Sequence, residues 1–284
     1  MSDYIHHTAN TIDVAAGPLP KVWQNVSGLN LLSDVELKPL GWLPVVYSGS
    51  VPAAYRGVTT GVQVGDSVTP DADDVTGTYA YKSTSNCKSI RKAAIDAKRD
   101  ALLVTGKTIN GNTYDGRLTT MGAIVAKRDR TSRRGGAAVK NISGINTSTG
   151  TVTITGGAPE DGNEVQFASV GGTTELNGNV YFSANKSGNN FTLIDRIGNA
   201  VDMSGFGSYT SGGTATVVVT AIGVDNSLIA LNFGDFEAMA DELSQWHNNM
   251  YEQARAYKNA VDALSTAAAV ASHTDGDDNG DWPS

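Results

Sequence analysis

The spacing of apolar residues changes along this chain, and the changes divide it. Up to about residue 85 they come in short bursts, punctuated by Pro18, Pro20, Pro39, Pro44 and Pro52, which forbid long helices. The run Ser33-Asp34-Val35-Glu36 fits a capping box, with Ser at the N-cap and Glu three positions on. It predicts a short helix closed by Pro39 and Gly41. Trp23, Val26, Leu29, Leu31, Leu32, Leu37, Leu40, Trp42 and Leu43 surround it as a candidate small core. Val62 and Val64 alternate with polar residues, and Val75, Tyr79 and Tyr81 do so less regularly. Both stretches predict half-buried strands flanking an Asp71-Ala72-Asp73-Asp74 turn.

From Ser85 the period becomes helical. Cys87, Ile90, Ala94, Ala97, Ala101 and Val104 step by three and four, which predicts a helix with a narrow stripe of small residues, ended by Gly106. Asn110-Gly111 predicts a short hairpin within residues 108–114. Leu118, Met121, Ile124 and Val125 predict a second helix, ending before Gly135-Gly136. Between 139 and 220 the period is two: Val152 and Ile154, Val165 and Phe167, Val180 and Phe182, Phe191 and Leu193, Val217 and Val219. Gly- and Asn-rich turns separate these pairs, which predicts a small all-β barrel or sandwich.

A long helix is predicted from Phe233 to Ala271, with Asn232 as its N-cap. Phe236, Ala240, Leu243, His247, Met250, Ala254, Tyr257, Val261, Leu264, Ala268 and Ala271 alternate steps of four and three. That is a coiled-coil seam of about five heptads, about 54 Å long. Its alanines let two backbones approach closely, so an antiparallel pair with the Ala-rich 87–104 helix is the economical arrangement. The expected class is therefore α+β. An N-terminal β-rich docking domain spans 1–85, and a discontinuous helical, coiled-coil-like domain spans 86–138 plus 222–272. A barrel is inserted at 139–221, and an acidic tail occupies 273–284.

Composition narrows the function. Glycine is 32 of 284 residues, charged residues are 18% and aromatics 7%, which suits turn-rich β-structure and intersubunit surfaces better than a compact α/β enzyme. The net charge of −8 and a pI near 4.9 argue against a nucleic-acid binder that relies on charge. One cysteine, Cys87, excludes an internal disulfide framework and a Cys-based zinc site. The opening residues lack a basic and an apolar region, so no signal peptide is expected, and no apolar run reaches membrane-spanning length.

Chemical motifs are scarce. There is no phosphate-binding loop, no zinc-protease His pair, no nucleophile elbow and no dinucleotide fingerprint. His6-His7 is expected to be solvated, and His247 to be a satisfied interface histidine on the seam. Asp275-Gly276-Asp277-Asp278-Asn279-Gly280 matches the start of a calcium loop but lacks the closing Glu, so a solvated acidic tail is expected. Lys127, Arg128, Arg130, Arg133 and Arg134 form a basic cluster without interleaved aromatics to stack bases, which is expected to face an acidic neighbouring subunit or solvent. Tyr181 and Tyr209 are candidates for stacking on sugars, with a core role as the expected one. No cofactor, no metal, no membrane insertion and no enzymatic activity are expected.

Two segments resemble known families. Lys92 to Asp100, Asp115-Gly116-Arg117 and Leu231 to Ala240 resemble an uncharacterised helical domain of bacteriophage tail-fibre and tail-fibre-assembly proteins. There the hairpin runs directly into the long helix, whereas here about 80 residues intervene. Asn163-Glu164-Val165, residues 172–178, residues 190–195 and residues 209–214 resemble the small FCCH barrel first named in the ubiquitin-activating enzyme, which recurs in phage tail and fibre proteins. Residues 17–28 and 40–45 resemble short tail-tip and fibre proteins. The resemblances imply a structural component of a phage tail, at the tip, baseplate or a fibre junction. It would reside in the virion after synthesis in the host cytoplasm, as a homotrimer meeting hub and fibre proteins. A module recognising host-surface glycan and a fibre-assembly chaperone are the alternatives.

Overall fold

The computed structural model describes residues 2–69, 71–133, 139–274 and 282–283. Helix accounts for 33% and sheet for 32%, an α+β composition. Contacts gather the chain into two compact units, residues 1–97 with 254–281, and residues 98–253 with 282–284. These bounds cut two helices and differ from the boundaries drawn from sequence at 85/86, 138/139 and 221/222.

The first unit is built on a four-stranded sheet. Its early strands are β1 (Tyr4–Thr8), β2 (Thr11–Gly17) and the small pair β3 (Val22–Trp23) and β4 (Val26–Ser27). Gln24 and Asn25 join that pair with φ of 43° and 71°, the left-handed geometry that matches strand twist in a two-residue hairpin. Helix α1 (Asp34–Leu37) has the predicted capping box: Ser33 N–H donates to Glu36 Oε2 at 2.8 Å. Strands β5 (Trp42–Ser48) and β6 (Val75–Thr78) complete the order β2-β1-β5-β6, antiparallel except for β5 with β6.

Ile5, Ile12, Leu43, Val45, Val62 and Val75 fill one core, and Leu29, Leu37 and Trp42 a second. Leu31, Val26 and Leu40, expected in that core, are exposed, Leu31 by 82%. A single 3-10 turn at Leu29–Leu31 turns only Leu29 inward. No strand forms at Val62–Val64. Gly61 and Gly65 bend the chain with φ of 81° and 92°, and the Asp66 carboxylate accepts from Gln63 N–H at 2.7 Å. Val62 is therefore buried from a loop while Val64 faces water.

Helix α2 (Thr84–Thr105) is where predicted, but its buried face is different. Cys87, Ile95 and Leu103 are buried, while Ala94, Ala97, Ala101 and Val104 are exposed. Burying Ile and Leu removes more apolar surface from water than burying Ala, at about 25 cal/mol per Å². The larger residues therefore set the helix's rotation.

In the second unit, β7 (Lys107–Ile109) and β8 (Asn112–Tyr114) form the predicted hairpin around Asn110 and Gly111, both at positive φ. Helix α3 (Leu118–Arg133) buries Met121 and Ile124 and exposes Leu118 and Val125. Seven strands follow: β9 (Val139–Asn146), β10 (Thr151–Ile154), β11 (Glu164–Ala168), β12 (Val180–Ser187), β13 (Asn190–Ile194), β14 (Thr214–Ile222) and β15 (Leu228–Leu231). The order β11-β12-β13-β10-β9-β14 closes through a β11–β14 pairing, all antiparallel, giving a six-stranded barrel. Val152, Ile154, Val165, Phe167, Phe191 and Leu193 fill it, and these are the alternating positions of the sequence. Strand β15 pairs with β14 at Val219–Ile222, past the end of the barrel.

Helix α4 (Phe233–Ala263) starts at the predicted cap, where Asp235 N–H donates to Asn232 Oδ1 at 2.9 Å. It stops short of Ala271. Thr266 takes an extended conformation, and its side chain accepts from Ala269 N–H, opening the separate helix α5 (Ala267–Ser272). The continuous helix is thus 31 residues, about 46 Å. In the first unit α2 and α4 run antiparallel, tied by Lys258–Asp96 at 2.9 Å and Lys92–Asp262 at 2.5 Å. No described helix is long and apolar enough to cross a membrane.

Candidate functional site at the helix–barrel joint

Strand β14 outruns its barrel partner. The β11–β14 ladder ends at Glu164 opposite Val218, which leaves the Thr220 backbone without a strand on that side. Two side chains replace it. Thr220 N–H donates to Glu164 Oε2 at 2.7 Å, and Thr220 O accepts from Lys127 Nζ at 2.5 Å. Thr220 Oγ1 donates to Glu164 Oε1 at 2.6 Å and accepts from Lys127 Nζ at 2.8 Å. Lys127 Nζ also lies 3.2 Å from Glu164 Oε1. A carboxylate accepts and an ammonium donates, so together they complete the ladder as a neighbouring strand would. Lys127 comes from α3 and Glu164 from the barrel, and the knot fastens one to the other.

The knot is desolvated. Glu164 is 6% exposed and Thr220 is buried. Burial pushes the Lys127 ammonium below its ordinary range; Glu164 works against that, while Arg196 and Arg130 add to it. Two cations, Lys127 and Arg196, lie within 4 Å of the one carboxylate. Removing one partner of a buried, hydrogen-bonded pair costs about 3–5 kcal/mol, because the other charge stays buried. A cavity of about 30 Å³ adjoins, lined by Lys127, Arg130, Asn163 and Glu164 among others. It has room for about one water molecule. Thr220 Oγ1 beside a carboxylate has the look of a nucleophile and its base, but that hydroxyl is committed to Glu164 and Lys127. Thr220 also lines an open hollow of about 360 Å³ on the barrel. The Glu164 charge is held inside, while a third of the Lys127 side chain stays exposed.

Of the predicted seam, Phe236, Ala240, Leu243, His247 and Met250 are buried in the second unit and Ala254 and Val261 in the first, while Tyr257 and Leu264 are half-buried. All are covered by their own chain. His247 Nδ1 meets Gly116 O at 2.6 Å, so it is satisfied internally. Trp246, off the stripe, escaped the sequence reading. Its ring lies on Gly116 so closely that a Cβ there would come within 2.2 Å, and its Nε1 donates to Pro283 O at 3.0 Å. Glycine at 116 and a tryptophan beside a seam residue were the available signals.

The other candidates are placed as follows. Tyr209 packs on the barrel core and donates to Ile142 O and Gly212 O at 3.1 Å, and Tyr181 packs on Phe167. Arg128 pairs with Asp241 at 3.2 Å, so with Lys127 the basic cluster faces its own chain in part. Arg134 and the calcium-like segment 275–280 lie outside the described residues. Cys87 is buried.

His6 is not solvated. It is buried between Trp23 and Trp42, each ring 5.1 Å away, and its Nδ1 lies 2.5 Å from Asp13 Oδ1. Asp13 Oδ2 also accepts from Thr8 Oγ1 at 2.6 Å. Burial works to raise the Asp13 pKa, but the bonds from Thr8 and His6 outweigh it and hold the carboxyl below its usual range. Ile5 and His6 alternate to opposite faces, and both are buried because each face of the sheet carries a core: Ile5 packs with Leu43 on one, His6 with Trp23 and Trp42 on the other.

Among the described residues, no three His, Cys, Asp or Glu side chains are grouped as a metal ion would need. No protein-family model matches the chain, and no curated protein matches it significantly.

Proposed function

We propose that the chain is a structural component of a bacteriophage tail, placed at the tip, the baseplate or a fibre junction. There it holds a β-barrel toward the host or a neighbouring tail protein. The observation that supports this most is the joint: a closed barrel fastened to a helix by a Glu164–Lys127–Thr220 knot that completes the strand ladder. Such a joint suits rigid display. The phage assignment itself comes from the sequence resemblances.

Hub and fibre proteins are the partners in this reading, and the assembly is a homotrimer. Because the long-helix stripe is used inside the chain, contacts between copies fall on other surfaces. The exposed face of α2, with Ala94, Ala97, Ala101 and Val104, suits close helix packing. A coiled-coil arrangement of helices in the assembled particle belongs to this proposal.

Mass spectrometry of purified particles tests it. The expected result is the chain in intact virions, at a copy number divisible by three. Recovery only from the particle-free lysate would instead assign a fibre-assembly chaperone.

A further inference from the structure

Beside the joint, the outer face of the barrel carries an open hollow of about 360 Å³. Arg196 stands on its wall with the amides of Gln166 and Asn179, and Val180, Leu228 and Ala230 make an apolar side. The volume lies in the range of small-ligand sites, about 300–1,000 Å³.

The turn after β13 holds Arg196 in place. The Asp195 carboxylate accepts from Ile197 N–H and Asn199 N–H, both at 2.9 Å. Among the described residues, the partner of the Arg196 guanidinium is Glu164 Oε1 at 3.7 Å, too far for a hydrogen bond. Glu164 is already taken by Thr220 and Lys127. Lys127 and Arg196 thus share the single Glu164 carboxylate, with Lys127 the nearer. A planar fork of N–H donors facing an open hollow matches a carboxylate. Asn179 Nδ2 donates to Glu175 O at 2.8 Å, which leaves its Oδ1 for a ligand hydroxyl.

We propose that this hollow binds a uronic-acid unit of an acidic saccharide. Arg196 takes the sugar carboxylate, Gln166 and Asn179 take hydroxyls, and Val180 and Leu228 cover the C–H face of the ring. An acidic peptide is the competing ligand: both edges of β11 and β12 are occupied within the closed barrel, so among the described strands at the hollow only β15, paired with β14 alone, could take an added strand. The inference stands on the barrel alone and holds whether or not the chain is a tail component.

The test titrates the full-length chain by calorimetry with oligomers of galacturonate, glucuronate-containing hyaluronan and alginate. The methyl ester of each and an oligoglutamate are the controls. At least one free-acid saccharide is expected to bind, with its ester weaker by about ten- to a hundredfold, the worth of a hydrogen bond to a charged group. Arg196→Gln is expected to lose a similar factor and Arg196→Lys to lose less. Arg196 is exposed on a turn, so circular dichroism of the variants should be unchanged. Failure of every acidic saccharide to bind, equal binding of the esters, binding indifferent to Arg196→Gln, or tighter binding of oligoglutamate would each overturn the proposal.

Discussion

Each unit of this protein sets a carboxylate against a basic side chain, and the two solutions differ. In the second unit Glu164 lies 6% exposed beside Lys127 and Arg196, and its oxygens complete the backbone ladder of β14. In the first unit Asp13, still partly open to water, pairs with His6 and Thr8. One site joins a helix to the barrel through an ammonium and a buried carboxylate. The other pairs a carboxylate with an imidazole within a single sheet. The contrast shows a carboxylate acting as a fastener between elements at Glu164 and as a local contact at Asp13.

The largest expected effect is at the fastener. Glu164→Ala leaves the Lys127 ammonium facing Thr220 without its counter-charge, and urea unfolding should show a loss of about 3–5 kcal/mol. Lys127→Ala should cost a similar amount, and the double variant less than the sum of the two, because the singles each strand a partner. His6→Ala should cost less, about 1–3 kcal/mol, the penalty for an unmatched polar partner plus lost packing on the two tryptophans. Equal losses at the two sites would erase the distinction.

Acidity sharpens the comparison further. The lowered pKa of Asp13 means that the folded form holds its proton less tightly than the unfolded form. Its contribution is therefore present above the ordinary carboxylate pKa and is lost as pH falls through the lowered value. Acid titration of the Asp13 carboxyl by NMR should show this. At the alkaline end, burial and the hydrogen bond to Asp3 push Tyr47 up to about 12. A raised pKa gives the opposite sign: the contribution is complete below the ordinary tyrosine value of about 10 and is lost as pH rises through about 12. Tyr4, Tyr114 and Tyr181 are raised as well, so ultraviolet titration of tyrosinate should find several late-ionising phenols, one fewer in Tyr47→Phe. The smallest effect belongs to Arg196, close to the fastener but without a hydrogen bond to it. Arg196→Gln should change stability by less than about 0.5 kcal/mol.

Much of the architecture is legible in the residues, and what is not has a physical reason. Alternating Val, Ile, Phe and Leu pairs mark β10, β11 and β13 because a barrel interior accepts every second side chain, whereas in β12 the expected pair Val180 and Phe182 lies on the outer face and Tyr181 packs inward. The long-helix stripe is legible because large residues recur at helical spacing, and it ends early because Thr266 offers a cap. The rotation of α2 was misjudged because its alanines are regular in spacing but weak in burial, and Ile95 and Leu103 prevail. The joint was invisible. Lys127, Glu164 and Thr220 lie 37 to 93 positions apart, and each fits its own element as an ordinary polar residue. Only the unequal lengths of β11 and β14 create the need they fill. The burial of His6 is not legible near a chain end, because it depends on Trp23 and Trp42, distant in sequence, covering the second face of the sheet.

Amide hydrogen exchange at Thr220 tests the joint most directly. Its N–H has a side-chain acceptor, Glu164 Oε2, where a strand would otherwise stand. The expected result is exchange as slow as that of Thr216 within the β11–β14 ladder, speeding up selectively at Thr220 in Glu164→Gln. Rapid exchange of the Thr220 amide in the unaltered chain, at the rate of an open loop, would contradict a barrel fastened to its helix by this knot.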